Sequence, residues 1–252
     1  MNRRSLLAFA ATTIATPARA GLKPDTRIRL LSGSGNTGVR QAALEITTGE
    51  DWKTYWRMPG DAGIPPNFDW SGSANAKAID VLFPAPHRYN DAAGESIGYK
   101  GRVAFPLMVT AENPALPVDL KLKIFFAICK DICIPSELEA AVHLDGSGRD
   151  DGVIANAWAE VPKPGKLIAS VTALAIDGKP AIRVVLDAPQ AETLDMFVEG
   201  AEPAYIGAPN FVEGGYVLKA SGVKEFSELR GKMLRFTVVG GTIRLEQSMV
   251  VA

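Results

Sequence analysis

The sequence predicts an all-β protein made of two immunoglobulin-like β-sandwich modules in tandem. Three observations lead there. Apolar residues alternate with a period of two over 118–128 and again over 138–144, and the other strand-like runs are short and separated by Gly, Pro and Asp turns. The third is length, since 252 residues suffice for two units of about 100 residues each. The expected division is an export signal at 1–20, a first module at 21–148, a linker at 149–165 and a second module at 166–252.

Composition narrows the class. The chain is 47% hydrophobic and 22% charged, and its 24 Gly and 17 Pro fall short of the roughly 25–30% combined share of low-complexity chains. Basic and acidic residues number 27 and 28 with no run of like charge, so nothing favours nucleic acid or an anionic membrane surface as a partner. Two cysteines exclude a disulfide-dense scaffold, and two histidines argue against a His-rich metal site. No metal and no cofactor are expected.

Residues 1–20 have the form of a cleaved export signal. Arg3 and Arg4 open it, an apolar stretch runs from Leu6 to Ile14 or Ala15, and Ala18-Arg19-Ala20 is a small-x-small cleavage site. The apolar stretch is far shorter than the ~20 residues that span a bilayer, so no membrane insertion is expected. Paired arginines before Ser5-Leu6-Leu7 fit a twin-arginine signal as well as an ordinary secretory (Sec) signal. Either route leads to an oxidising compartment, the periplasm, where a cysteine pair can persist as a disulfide.

In the first module, Val118, Leu120, Leu122, Ile124, Phe126 and Ile128 alternate with Asp119, Lys121, Lys123, Phe125 and Ala127, which makes 118–128 a strand with one core face. Leu138, Ala140, Val142 and Leu144 alternate in the same way and predict an antiparallel partner strand. A helix over 136–144 is the competing reading, disfavoured by Pro135 and the alternation. The cysteines then sit at a hairpin tip. The pattern breaks across 145–166, apart from a short stretch at 155–159 with helical character, and this is read as linker. In the second module, Asp177-Gly178 predicts a turn before Ile182, Val184 and Leu186, and Gly240-Gly241 predicts a hairpin whose glycines both supply positive φ.

The reactive constellation is Cys129-Lys130-Asp131-Ile132-Cys133. Three intervening residues at a hairpin tip allow the Cα separation a disulfide requires. So short a loop constrains little of the unfolded chain, which makes stability alone a weak reason for the bond. Lys130 favours a thiolate by its charge while Asp131 opposes it, so the sequence assigns neither thiol a lowered pKa. Three readings of the pair stand: a static disulfide, a dithiol/disulfide exchange pair, and a thiolate copper site. The copper site is the weakest, because neither His87, His143 nor a methionine stands at ligand spacing beside the pair. Three of the four tryptophans fall within 52–70, where sandwich packing is the expected role. Residues 84–91 read as an exposed polar and aromatic loop.

Three segments together resemble the N-terminal periplasmic domain of the DsbD/ScsB thiol:disulfide interchange family. They are WKTYWRMPGDAGIPPNFDW at 52–70, VLFPAPHRY with SIGYKGRVAFPLMV within 81–109, and FFAICKDICIP at 125–135. The last resembles most closely the suppressor-of-copper-sensitivity branch, which has the same cysteine spacing. The resemblance covers most of the chain after the signal; beyond about residue 165 it is limited to the β pattern and the phrase MFVEG at 196–200.

The resemblance implies an immunoglobulin-like domain that relays electrons, with Cys129 and Cys133 as its redox pair and Cys133 forming the intermolecular mixed disulfide. It also implies an aromatic-bearing cap loop at 87–99 with Tyr89 as the shielding aromatic. Tyr89, Phe126, Lys130 and Asp131 are the expected supporting or shielding residues. Full-length members of the family continue into a multi-span membrane domain and a thioredoxin-like domain. This chain carries neither, so the implied partner is a thioredoxin-like periplasmic protein or a membrane electron carrier on another polypeptide. The leading expectation is a component of thiol-disulfide oxidoreduction. The alternatives are a non-catalytic binding module with a structural disulfide and a copper-handling protein linked to copper tolerance.

Overall fold

Ten strands build the first half of the molecule. In chain order they are β1 (Arg27–Asn36), β2 (Val39–Thr47), β3 (Lys53–Tyr55), β4 (Asn67–Asp69), β5 (Ala76–Val81), β6 (His87–Asp91), β7 (Gly94–Lys100), β8 (Arg102–Ala111), β9 (Val118–Cys129) and β10 (Cys133–Leu144). The computed structural model describes residues 25–36, 38–60, 63–91, 94–188 and 193–252. The expected export signal at 1–20 lies outside them. One sheet has the order β1-β2-β8-β5 and the other β10-β9-β3-β7-β6, with β4 also paired to β9. A single core that includes Leu44, Phe105, Leu107, Leu120, Ile124 and Phe126 draws on both sheets.

The period-two expectation for β9 holds from Val118 to Phe126, where buried and exposed residues alternate strictly. It fails at Ala127 and Cys129, which lie on the outer face yet are buried, because Tyr55 and Ile64 pack over them. The same happens on β2, whose residues Ala42 to Ile46 are buried on both faces. There the cover is α1 (Asp151–Ala159), whose Ile154 packs against Leu31 and Ala43. Residues 149–165, read from the sequence as linker, thus hold a docked helix. Asp150 and Asp151 tie it down by accepting hydrogen bonds from the backbone N–H groups of Ser32 (2.9 Å) and Ser34 (2.6 Å).

β10 pairs with β9 without a register break from Leu144↔Val118 to Cys133↔Cys129, as the antiparallel hairpin reading requires and the helix alternative does not. It is an edge strand, so Pro135, which lacks an N–H, costs the sheet little. The stretch read as an exposed loop at 84–91 is instead partly strand: β6 and β7 form an antiparallel hairpin, with His87 opposite Gly98 and Tyr89 opposite Ser96. β3 runs beside β7 so closely that a Cβ on Gly98 would stand 2.0 Å from the Thr54 carbonyl oxygen. Gly98→Ala is therefore expected to force β3 and β7 apart at a cost of about 2–4 kcal/mol. A urea unfolding midpoint unchanged from that of the unsubstituted protein would contradict this.

The second half holds β11 (Lys163–Pro164), β12 (Ile168–Ile176), β13 (Lys179–Leu186), β14 (Asp195–Glu199), β15 (Tyr205–Val212), β16 (Gly215–Ser221), β17 (Met233–Gly240) and β18 (Ile243–Val250). They form two sheets, β11-β18-β17-β14 and β12-β13-β16-β15, around a second core that includes Val171, Ile182, Met196, Leu218 and Phe236. The Asp177-Gly178 turn is as expected, with positive φ at both residues (49° and 71°). At the β17–β18 hairpin the expectation is half right. Gly241 has a φ of 50°, whereas Gly240 ends the strand and is glycine for space: a Cβ there would lie 2.7 Å from Leu194 Cδ2. Among the described residues no helix is long and apolar enough to cross a membrane.

Candidate functional site

The β9–β10 hairpin closes over residues 130–132, so Cys129 and Cys133 face each other across the last pair of the ladder with their Cα atoms 4.2 Å apart, joined as a disulfide. Their surroundings differ. Cys129 is only 2% exposed, held beneath the Tyr55 ring together with Ala127 and Ile64, while Cys133 is solvent-exposed. The cause is local and geometric. Cys129 is still within β9, opposite Lys53 of β3, whereas Cys133 begins the edge strand.

Tyr55 is the residue that sequence reasoning missed as part of the site. Its ring is buried, and its hydroxyl lies 3.4 Å from Cys133 Sγ, within hydrogen-bonding reach for sulfur. One side chain thus touches both halves of the pair. The only sequence signal was membership of the 52–70 aromatic segment, which packs as expected elsewhere: Phe68 stacks on Trp70, and Trp56 is fully buried.

Tyr89, on β6, lines the same cleft as Cys129, a cavity of about 400 Å³ whose walls also include Lys53, Lys100, Lys130 and Asp51. The Lys100 and Lys53 ammonium groups stand 5.0 and 5.9 Å from its ring centroid. Burial pushes the Tyr89 hydroxyl above the usual phenol range, so it is neutral at physiological pH. Lys130 is turned to Asp51, Nζ to Oδ2 2.8 Å, and the bond and charge of that carboxylate raise its pKa. Both side chains are exposed, so solvent screens the pair. Asp131 is exposed at the tip.

Phe126 is corrected. It is fully buried in the first core, and the strand's alternation turns it to the face opposite Ala127 and Cys129, so it shields neither sulfur. His143 is exposed and its Nδ1 lies 2.6 Å from Asp119 Oδ1, on the hairpin at the end away from the tip. Among the described residues no group of three or more His, Cys, Asp or Glu is placed to hold a metal ion.

Residues 21–144, which carry this hairpin, match the family model described as thiol:disulfide interchange protein DsbD, N-terminal. That segment belongs to this family. Of solved structures, the N-terminal periplasmic domain of ScsB from Proteus mirabilis superposes on the chain with a TM-score of 0.70, covering 90% of this chain and 92% of its own at 18% identity. The likeness shows a shared fold and extends past the DsbD-family segment into the second half. Titin immunoglobulin tandem domains (TM-score 0.18, 11% identity, 90% of this chain and 94% of that one) and a marsupial T cell receptor (0.19, 11%, 89% and 95%) superpose poorly. No curated protein matches the chain.

Within the DsbD-family segment the arrangement offers an incoming thiolate one accessible sulfur, at Cys133, and one buried sulfur, at Cys129. Attack on Cys133 places the leaving thiolate on Cys129, on the wall of a cleft that also carries lysines.

Proposed function

We propose that the chain is a periplasmic thiol-disulfide exchange protein, exported by cleavage of residues 1–20, in which Cys129 and Cys133 cycle between dithiol and disulfide. The observation that carries this reading is the unequal exposure of the two sulfurs at a hairpin tip within a DsbD-family segment. A partner thiolate attacks Cys133 Sγ. The Cys129–Cys133 bond breaks with its electron pair on Cys129 Sγ, and a mixed disulfide through Cys133 forms. The partner's second thiolate then attacks its own bridged sulfur and releases Cys133 as thiolate. Two electrons pass from the partner, which leaves as a disulfide, and both cysteine thiolates take up protons. The reverse sequence oxidises this chain.

In this reading residues 21–148 form the redox module, 149–165 join it to a second module at 166–252, and the partner is a thioredoxin-like periplasmic protein or a membrane electron carrier. Tyr55 and Tyr89 shield the pair, and Lys130, turned to Asp51, stands with Asp131 at the exposed tip.

Trapping tests the assignment. Cys129→Ser is expected to accumulate a mixed disulfide through Cys133 in periplasmic extracts, while Cys133→Ser accumulates little, because the remaining sulfur is buried. A reduction potential below about −300 mV would mark a structural bond resistant to exchange and overturn the reading.

A further inference from the structure

The two halves of the molecule meet at a pair of arginines, one just after β3, which pairs with β9 at Cys129, and one on β6, which carries Tyr89 into the Cys129 cleft. Arg57 lies two residues after Tyr55. Its guanidinium sits 4.2 Å from the Trp56 ring centroid and pairs side-on with Glu199 of β14, Nε to Oε1 3.0 Å and Nη2 to Oε2 2.8 Å, with a further contact to Glu246 of β18. Arg88 is the neighbour of Tyr89 on β6. Its side chain is only 8% exposed; it donates to Asp195 of β14 at 3.0 Å and to the Met196 carbonyl at 3.0 Å, while Glu95 of β7 takes its other arm. Glu95 also accepts from Tyr205 of β15. Between the two arginines Phe197 of β14 packs 5.7 Å from Trp56 and 4.9 Å from the Arg88 guanidinium.

Paired, part-buried, two-pronged arginine contacts of this kind fix orientation as well as adding energy. Burial alone would raise the Glu199 carboxyl, but the hydrogen bonds from Arg57 and Arg235 outweigh it and hold it below the ordinary range, so the clamp is ionised at neutral pH. One short strand, β14, therefore grips the segment that bears Tyr55 and the hairpin that bears Tyr89. Tyr55 packs against Cys129, and Tyr89 lines the cleft that Cys129 borders.

We propose that the second half of the chain sets access to the buried sulfur: Asp195 and Glu199 are positioning residues that, through Arg88 and Arg57, keep Tyr89 and Tyr55 closed against Cys129. This rests on the exchange reading above, since guarded access matters only to a pair that reacts. The consequence is directional. With the clamp intact, attack is confined to Cys133 and Cys129 is kept from adventitious thiols. With it broken, the β6–β7 hairpin opens locally and Cys129 becomes a second target.

The test is pulsed alkylation of the reduced full chain with iodoacetamide, with the two sites resolved by peptide mass spectrometry. Arg88→Ala and the milder Asp195→Asn, which changes only the second half, are both expected to raise alkylation of Cys129 relative to Cys133 by roughly tenfold, the size of a modest shift in a local opening equilibrium. Glu199→Gln should act in the same direction. The double variant Arg88→Ala with Asp195→Asn should do no more than Arg88→Ala alone, because the two residues act through one contact. Should Arg88→Ala fail to fold, Asp195→Asn and Glu199→Gln carry the test. Unchanged alkylation of Cys129, or an equal rise at both cysteines, which signals general loosening, overturns the proposal. Titrating the pair of the unsubstituted protein against dithiothreitol keeps the two questions apart. A disulfide that stays closed in excess dithiothreitol while the chain is folded sinks the exchange reading itself, whereas an exchangeable pair with a clamp-insensitive Cys129 sinks this inference alone.

Discussion

Cys133→Ala is expected to abolish thiol-disulfide exchange, lowering the rate by roughly a thousandfold or more, the scale of losing a group on which every step depends. The same substitution is expected to cost little stability. Loop-closure entropy for a ring this small amounts to about 2 kcal/mol at most, and the β9–β10 ladder that holds the tip continues for another eleven paired positions down to Leu144↔Val118. Measuring both quantities on one preparation separates a reactive bond from a structural one. A variant that melts far below the parent protein while the parent shows no exchange with a dithiol would place the bond among structural disulfides. A variant that is folded and inert is the expected outcome.

The largest expected loss of stability comes from Phe126→Ala, about 3–5 kcal/mol, as for large-to-small changes at fully buried aromatics. Its sequence neighbour provides the control. Phe125 is 42% exposed on the other face of β9, opposite Glu137 and Asn67, so Phe125→Ala should cost no more than about 1 kcal/mol. Urea unfolding of the two variants checks the pair. Similar losses would mean that β9 does not present Phe126 to the core in the way the alternation requires.

That alternation is why much of the first half was legible from the chain itself. A strand's side chains change face at every residue, so Val118 to Ile128 declare a core face without reference to any other segment. The Cys129 and Cys133 spacing and the Asp177-Gly178 turn are local in the same sense, because a turn's dihedral requirements are met by its own residues. Where a second layer was added, the local rule misled. β2 reads as buried on both faces because α1, more than a hundred residues later in the chain, lies across it. Residues 87–91 look like a loop because a strand this short and polar has little pattern to show, and they are ordered by pairing with β7 and by Arg88 reaching Asp195. Gly240 gave a turn signal when its requirement was room for Leu194. Phe126 stood next to the reactive segment in sequence and yet faces the other way.

The sequence by itself determined an all-β chain with one cysteine pair at a hairpin tip, since alternation, turn residues and spacing are properties of consecutive residues. Only the tertiary structure decided which sulfur is buried. That depends on Tyr55, which reaches the pair from a separate strand, and on the β6–β7 hairpin that carries Tyr89 to the cleft. It also decided what holds those two elements in place: Arg57 and Arg88 meet Glu199 and Asp195 across more than a hundred residues of chain. The physical reason is that a charged side chain carries no periodicity to mark its partner. The ion pairs exist because two separately built cores bring opposite charges together where water is partly excluded, and no local pattern encodes that meeting.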